Sequence, residues 1–232
     1  MLDLGLEDAP ELDLPLSERA YRFIRQEILL GRIPPGAKLK VDALQRDYGV
    51  SNTPLREALT RLAAEQLVIA DNRRGFRATP ISLKDFRDLT KARLIAEIGA
   101  LQASIDAGTD KWEANILGAF HRMEVAQGRA GRDPGSSNDE WTRRHKEFHM
   151  TLVAASGSDR LLTTCSAMFD QSERYRRIST FHRKHPRDAR SERRRLKDLT
   201  ISRNKAAASS LLREHILKTA DHVAQVMNEL AQ

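Results

Sequence analysis

The 232 residues, 40% of them hydrophobic, suffice for one or two packed domains, and 5% aromatic against 31% charged side chains suits helices with solvated outer faces better than a β-sandwich. The net charge of +7 is the balance of −5 over residues 1–16, where Asp3, Glu7, Asp8, Glu11 and Asp13 meet no Lys or Arg, and +12 over the rest, a surplus that favours a polyanionic partner, nucleic acid first. Cys165 is the single cysteine, which excludes an intramolecular disulfide or thiolate cluster; no apolar run reaches the length of about 18 residues that a membrane span needs, so a cytoplasmic setting is expected.

Residues 1–16 lack helical periodicity, carry Pro10 and Pro15, and read as a disordered acidic arm. From Ser17, a plausible cap, the residues Ala20, Phe23, Ile24, Ile28 and Leu29 recur at spacings of three and four, the stripe of one helix that should stop near Gly31. The adjacent prolines of Gly31-Arg-Ile-Pro-Pro-Gly36 remove backbone donors and end the helix there. Residues 41–48 and 53–65 then read as two helices around Gly49-Val50-Ser51-Asn52, a helix-turn-helix pattern. Between Leu67 and Thr79 the polar turn Asp71-Asn-Arg-Arg-Gly75 separates two strand-like runs, a β-ribbon or wing.

Residues 17–79 thus form a winged helix-turn-helix and residues 80–82 a linker. Ser82 is placed to cap a helix over 83–107 whose Phe86, Leu89, Ala92, Ile95, Ala96 and Ala100 form an apolar face. Breaks at Ala107-Gly-Thr, at 128–137, at Gly157-Ser-Asp and near Pro186 give five or six helices, an all-helical second domain over 83–232, and a mostly α fold overall.

An α-helix fits the major groove of DNA and presents its first residues to base edges and phosphates. Ser51, Asn52, Thr53 and Arg56 hold that place, the hydroxyls suited to phosphate and Arg56 to a two-pronged contact with guanine. The alternative for Arg56 is a local ion pair with Glu57 or Glu65. In the ribbon, Arg73, Arg74 and Arg77 flank Gly75, where a missing Cβ lets backbone approach backbone; sugar-phosphate contact and a merely solvated turn both remain open.

Gly31-x-x-Pro34-Pro-Gly36-x-x-Leu39, Val50-Ser-Asn-Thr-Pro-Leu-Arg-Glu-Ala-Leu59 and Arg74-Gly75, in that order, resemble the GntR family of bacterial regulators. The resemblance implies a DNA-reading winged helix over 17–79, a homodimer and a double-stranded operator. The family commonly has Arg where Asn52 stands, which leaves the base preference at one operator position open.

Arg93-Leu-Ile-Ala-Glu97, His145-Lys-Glu-Phe-His149, Ser156-Gly-Ser158 and Glu214-His215 resemble the FadR-type second domain of that family, an antiparallel helical bundle implied to hold a small effector and often a divalent metal such as zinc. His145, His149 and His215 fall on the family's metal-ligand positions, and neutral imidazoles four apart on one helix face suit such an ion. Arg193 occupies the fourth position, and a guanidinium that keeps its proton opposes a cation. Arg193 therefore supports a second reading, a bidentate clamp on a carboxylate, with Arg93 as a further clamp and Tyr175 in the same anion pocket. Asp139-Glu-Trp-x-x-Arg-His145-x-x-Phe-His149 and Arg174-Tyr-Arg176 are similar to a subgroup of glutarate-responsive repressors, which implies a small carboxylate effector.

An enzyme is disfavoured. A zinc hydrolase helix places Glu directly after the first His or directly before the second, where this chain has Lys146 and Phe148, and no nucleophile-elbow, phosphate-loop or dinucleotide motif is present. A purely architectural nucleic-acid protein is the remaining alternative; it would need the basic surface but no effector.

Overall fold

The computed structural model describes residues 14–71, 75–130, 139–181 and 189–230, with backbone alone at 130, 178–181 and 230. The acidic arm expected over 1–16 therefore lies, up to residue 13, outside the described residues, as do Arg73 and Arg74. The chain divides into two compact units, residues 1–82 and 83–232.

In the first unit, α1 (Leu16–Leu29) starts one residue before the expected Ser17. Pro15, extended at ψ 143°, takes the cap position, and its carbonyl accepts from the amides of Glu18 and Arg19. Ala20, Ile24 and Ile28 point inward as the spacing required. A short strand β1 (Lys38–Leu39) leads into α2 (Val41–Tyr48), which ends at Gly49. Gly49 sits at φ 65°, a left-handed turn that a side chain would strain, and so redirects the chain into α3 (Asn52–Ala64).

The wing pairs β2 (Val68–Asp71) antiparallel with β3 (Gly75–Ala78), Val68 opposite Ala78 and Asp71 opposite Gly75. The sheet has a third member: β1 pairs with the other edge of β3, giving the order β1-β3-β2. Two residues are too few to display alternation, so β1 has no periodic signature. Ile24, Ile28, Leu55, Leu59, Leu62 and Leu67 are at most 2% exposed and fasten α1 and α3 together. Each such side chain contributes about 1.5–3 kcal/mol by leaving water.

The second unit comprises α4 (Leu83–Ala107), α5 (Asp110–Ala130), α6 (Asp139–Leu152), α7 (Asp159–Phe181), α8 (Arg190–Ile201) and α9 (Lys205–Leu230). Cross-links establish antiparallel pairings. Asp106 meets Lys205 while Gln102 meets Ser209, and Asp139 meets Arg177 while Lys146 meets Asp170. Leu101, Ile116, Met123, Phe148 and Leu196 fill the centre.

The expected apolar face of α4 needs correction. Phe86, Leu89 and Ala100 are buried, but Ala92 is exposed, Ala96 is only half-buried and Ile95 is 79% exposed. The buried stripe instead runs through Thr90, Arg93, Glu97, Ile98 and Leu101, because α4 is covered by both α7 and α9 and encloses an ion pair on that side. The break between α8 and α9 was also absent from the sequence reading. Arg203 turns the chain there at φ 58° without a glycine, its guanidinium donating to the carbonyls of Ile105 and Gly108 at the end of α4.

Candidate functional site: a groove-reading helix and a histidine-lined cavity

Leu55, Ala58, Leu59 and Leu62 anchor one face of α3 in the core, which turns Ser51, Asn52, Thr53 and Arg56 outward, all exposed. Ser51 caps by position without a side-chain hydrogen bond, so its hydroxyl and the first amides of α3 face solvent with the helix's partial positive charge. The pairing of Arg56 with Glu65 is not formed: the Glu65 carboxylate accepts from the Tyr21 hydroxyl and from Arg25 Nε at 2.9 Å. Those bonds, with Arg61 clasped by Glu18 at 2.8 Å and lying 4.0 Å above the Tyr21 ring, tie the far end of α3 to α1. In the wing, Gly75 has φ 79°, while Arg77 is half-buried and donates Nη1–H to the Gly36 carbonyl at 3.3 Å.

The second unit contains a cavity of about 270 Å³, partly open to the surface. α6 supplies His145 and His149, α9 supplies His215, α8 supplies Arg193 and α4 supplies Arg93, all buried. One ring nitrogen from each of the three histidines lies within 4.8 Å of the others. His145 stacks on Trp141 at 4.6 Å and meets the His149 ring edge-on at 4.7 Å. Both His145 nitrogens and His149 Nε2 are buried without a hydrogen-bond partner. Buried polar atoms of this kind are nearly always satisfied, by protein, ordered water or an ion.

His215 is oriented by Glu192, whose carboxylate lies 2.9 Å from Nδ1. An ionised carboxylate only accepts, so His215 donates Nδ1–H to Glu192, which fixes the orientation of its ring. Burial, reinforced by His149 and Arg193, pushes His145 well below the ordinary imidazole range; burial, then His215 and Arg93, does the same to His149. Both rings are therefore neutral at pH 7, the form that binds metal. His145, His149 and His215 are a donor set that could hold a divalent ion such as zinc.

Arg193 is 5% exposed, donates Nη2–H to Gln127 Oε1 at 2.8 Å and lies 5.5 Å from the Trp141 ring centre. Arg93 lines the same cavity, but its fork is committed: Nε donates to Glu97 at 2.7 Å and Nη1 to Ser172 at 2.7 Å. Tyr175 is not brought to the cavity at all. Its hydroxyl donates to Asp85 at 2.5 Å and its ring packs on Phe86, on the side of α7 that faces the start of α4. Arg176, one residue on, does line the cavity, bound to Glu173 and 4.8 Å over Trp141.

Trp141, Gln127, Glu192 and Glu97 were not assigned roles from sequence. Only the last carried a signal, the four-residue spacing from Arg93; the others act across helices. Glu147, between the two histidines in sequence, is half-buried and bound by Arg122 and Arg144, outside the cavity lining.

Residues 16–77 match the bacterial regulatory proteins of the gntR family, and residues 88–218 match the FCD domain. The chain is 34% identical to the uncharacterized HTH-type transcriptional regulator BphR of Paraburkholderia xenovorans (strain LB400), across 90% of this chain and 86% of that one. It is 32% identical to the HTH-type transcriptional repressor GlaR of Escherichia coli (strain K12), across 89% and 95%. Among solved structures, E. coli McbR/YncC superposes with a TM-score of 0.76 at 16% identity over 91% of this chain and 98% of that chain, a likeness of fold.

Proposed function

The chain belongs to the GntR family of bacterial regulators with an FCD second domain, and we propose that it is a repressor released from operator DNA by a small carboxylate metabolite bound in the histidine-lined cavity. It is a transcriptional regulator rather than an enzyme. The observation that carries the effector reading is the meeting of three buried histidines with the buried guanidinium of Arg193 around one cavity. Anionic oxygens suit both chemistries there: they complete a metal's open position and accept two parallel hydrogen bonds from an arginine.

His145, His149 and His215 would hold the divalent ion, whose contribution is to polarise and anchor a carboxylate. At the other end, Ser51, Asn52, Thr53 and Arg56 read a half-site in the major groove, with the basic wing, Arg73, Arg74 and Arg77 around Gly75, against the backbone. A symmetric dimer in the cytoplasm meets a pseudo-palindromic operator. Ligand acts by its differential affinity for the dimer geometries that do and do not match the operator spacing.

The test is an operator titration with and without a panel of small carboxylates, alongside thermal melting. The reading expects at least one carboxylate both to raise the melting temperature and to weaken operator binding about 5- to 150-fold. If the whole panel leaves melting and operator affinity unchanged, the chain is an architectural DNA binder and the effector proposal is wrong.

A further inference from the structure

We infer that the acidic arm, residues 1–13, docks on the cationic surface of the helix-turn-helix when DNA is absent and must leave before DNA binds, so that the chain carries its own competitor for the DNA phosphates. The inference concerns the DNA-reading unit and does not depend on what fills the cavity.

The charge distribution is the first support. Residues 17–82 hold twelve Lys and Arg against seven Asp and Glu, a surplus of +5, and Asp3, Glu7, Asp8, Glu11 and Asp13 cancel it in full. Residues 1–82, the DNA-reading unit, are therefore neutral as a whole, and the net charge of +7 sits on residues 83–232. A reader of polyanions with no net charge of its own forfeits much of the attraction that drives sequence-independent binding.

The pairings within the unit identify the cations left over. Glu18 holds Arg22 and Arg61, Glu27 holds Arg32, and Glu65 holds Arg25, each pair having one member on α1. Lys38, Lys40, Arg46 and Arg56 are exposed and enter no ion pair among the described residues. They belong to β1, to the cap and last turn of α2 and to the start of α3. Asp42, Asp47 and Glu57 lie among them and offset part of this charge, whereas Arg77 and, in sequence, Arg73 and Arg74 add to it.

The arm is rooted beside this surface. Pro15 takes the cap position of α1, and Glu18, in the first turn, bonds Arg61 of α3 at 2.8 Å. Arg56 precedes Arg61 on the same helix by about 7.5 Å of axial rise. An arm of this length spans at most about 45 Å, against a radius of gyration of about 11 Å for a unit of this size, so each of those cations is within its reach. Tethering holds the carboxylates at an effective concentration on the order of millimolar, which lets weak ion pairs form without a second molecule.

The test compares the full wild-type chain with a full-length variant in which Asp3→Asn, Glu7→Gln, Asp8→Asn, Glu11→Gln and Asp13→Asn are combined. Each is titrated with a random-sequence duplex over a range of salt, and equal melting temperatures verify that both are folded. If the arm covers the surface nine-tenths of the time, the variant should bind the duplex about tenfold more tightly at low salt. The gap should close as salt rises, because the ion pairs of the arm are screened. Docking itself is read without DNA by carbodiimide, which joins a carboxylate to an amine in contact with it. Lys38 and Lys40 are the only lysines of residues 1–82, so mass spectrometry should find arm carboxylates coupled to them, and excess duplex should suppress the coupling.

Equal affinities of wild type and variant at low salt, or a gap that persists unchanged at high salt, overturn the inference. A tighter variant without coupling of the arm to Lys38 or Lys40 means that the arm only repels DNA from a distance, which overturns docking. Coupling that excess duplex does not suppress places the arm away from the DNA-reading surface and overturns the competition.

Discussion

Replacing Glu97 by Gln should be among the most destabilising single changes in the second unit. The Glu97 carboxylate faces Arg93 at 2.7 Å with side-chain exposures of 6% and 9%, and the same guanidinium also bonds Ser172 on α7. Glu97→Gln leaves nearly the same shape but an uncompensated buried cation, a change that costs about 3–5 kcal/mol when one partner of a buried pair is removed. Lys84–Asp88, at 90% and 54% exposure, is the internal control: losing that solvent-screened pair should leave the urea midpoint unchanged. Both tryptophans, Trp112 and Trp141, lie in the second unit, so their fluorescence during urea unfolding reports it separately from the DNA reader. The double variant Arg93→Met/Glu97→Leu should recover most of the loss, because an apolar pair needs no compensation. If Glu97→Gln lies within about 1 kcal/mol of wild type, the burial argument fails; if the double variant is no better than the single, an unpaired charge is not the cause.

Three further outcomes follow from the same structure. Arg56→Ala should weaken operator binding by about 1–3 kcal/mol and relax selectivity at one base pair; equal affinities of wild type and variant across operator variants would exclude it as a base reader. Gly108→Ala places a Cβ 2.0 Å from Trp112 Cε3 and 2.7 Å from the Ser104 carbonyl. Trp112 is held by its indole N–H on the Thr151 carbonyl at 2.8 Å, so the variant should lose about 1–3 kcal/mol, and an unchanged urea midpoint counts against this packing. His145 and His149 are held below their ordinary value of 6.5, so at mildly acid pH the unfolded chain binds more protons than the folded one. Chelator-treated protein should be fully stable above about pH 6.5 and lose stability progressively as pH falls toward the folded-state values, about 1.4 kcal/mol for each unit of depression. A melting temperature that is flat from neutral pH to pH 5 contradicts neutral buried rings.

The DNA-reading end was largely legible in the sequence because its determinants are local. Helix stripes at three and four, a Gly49 turn and a polar hairpin turn are short-range statements, and α2 and α3 fall within a residue of their expected bounds at every end. The exceptions have the same origin: β1 owes its existence to pairing with β3 across the chain, and Pro15 rather than Ser17 receives the first amides of α1.

The cavity was legible only in part. Histidines four apart already share a helix face by geometry, and His145 and His149 do so. What one arginine does among several depends on its neighbours across helices, and sequence spacing does not carry that information. Arg93 is consumed by Glu97 and Ser172, Tyr175 turns to Asp85, and Arg193 faces the histidines. The hydrophobic count likewise placed Ile95 inside and could not place Arg93 and Glu97 there, since a buried ion pair becomes tolerable only when both partners and Ser172 meet.

The sequence by itself therefore determined a helix-turn-helix with a wing, a helical second domain and a set of polar residues suited to an ion or an anion. Tertiary structure decided which of them converge. The division is physical: backbone periodicity and turn chemistry act over a few residues, whereas the charge balance of a buried cavity is set by side chains delivered from five different helices.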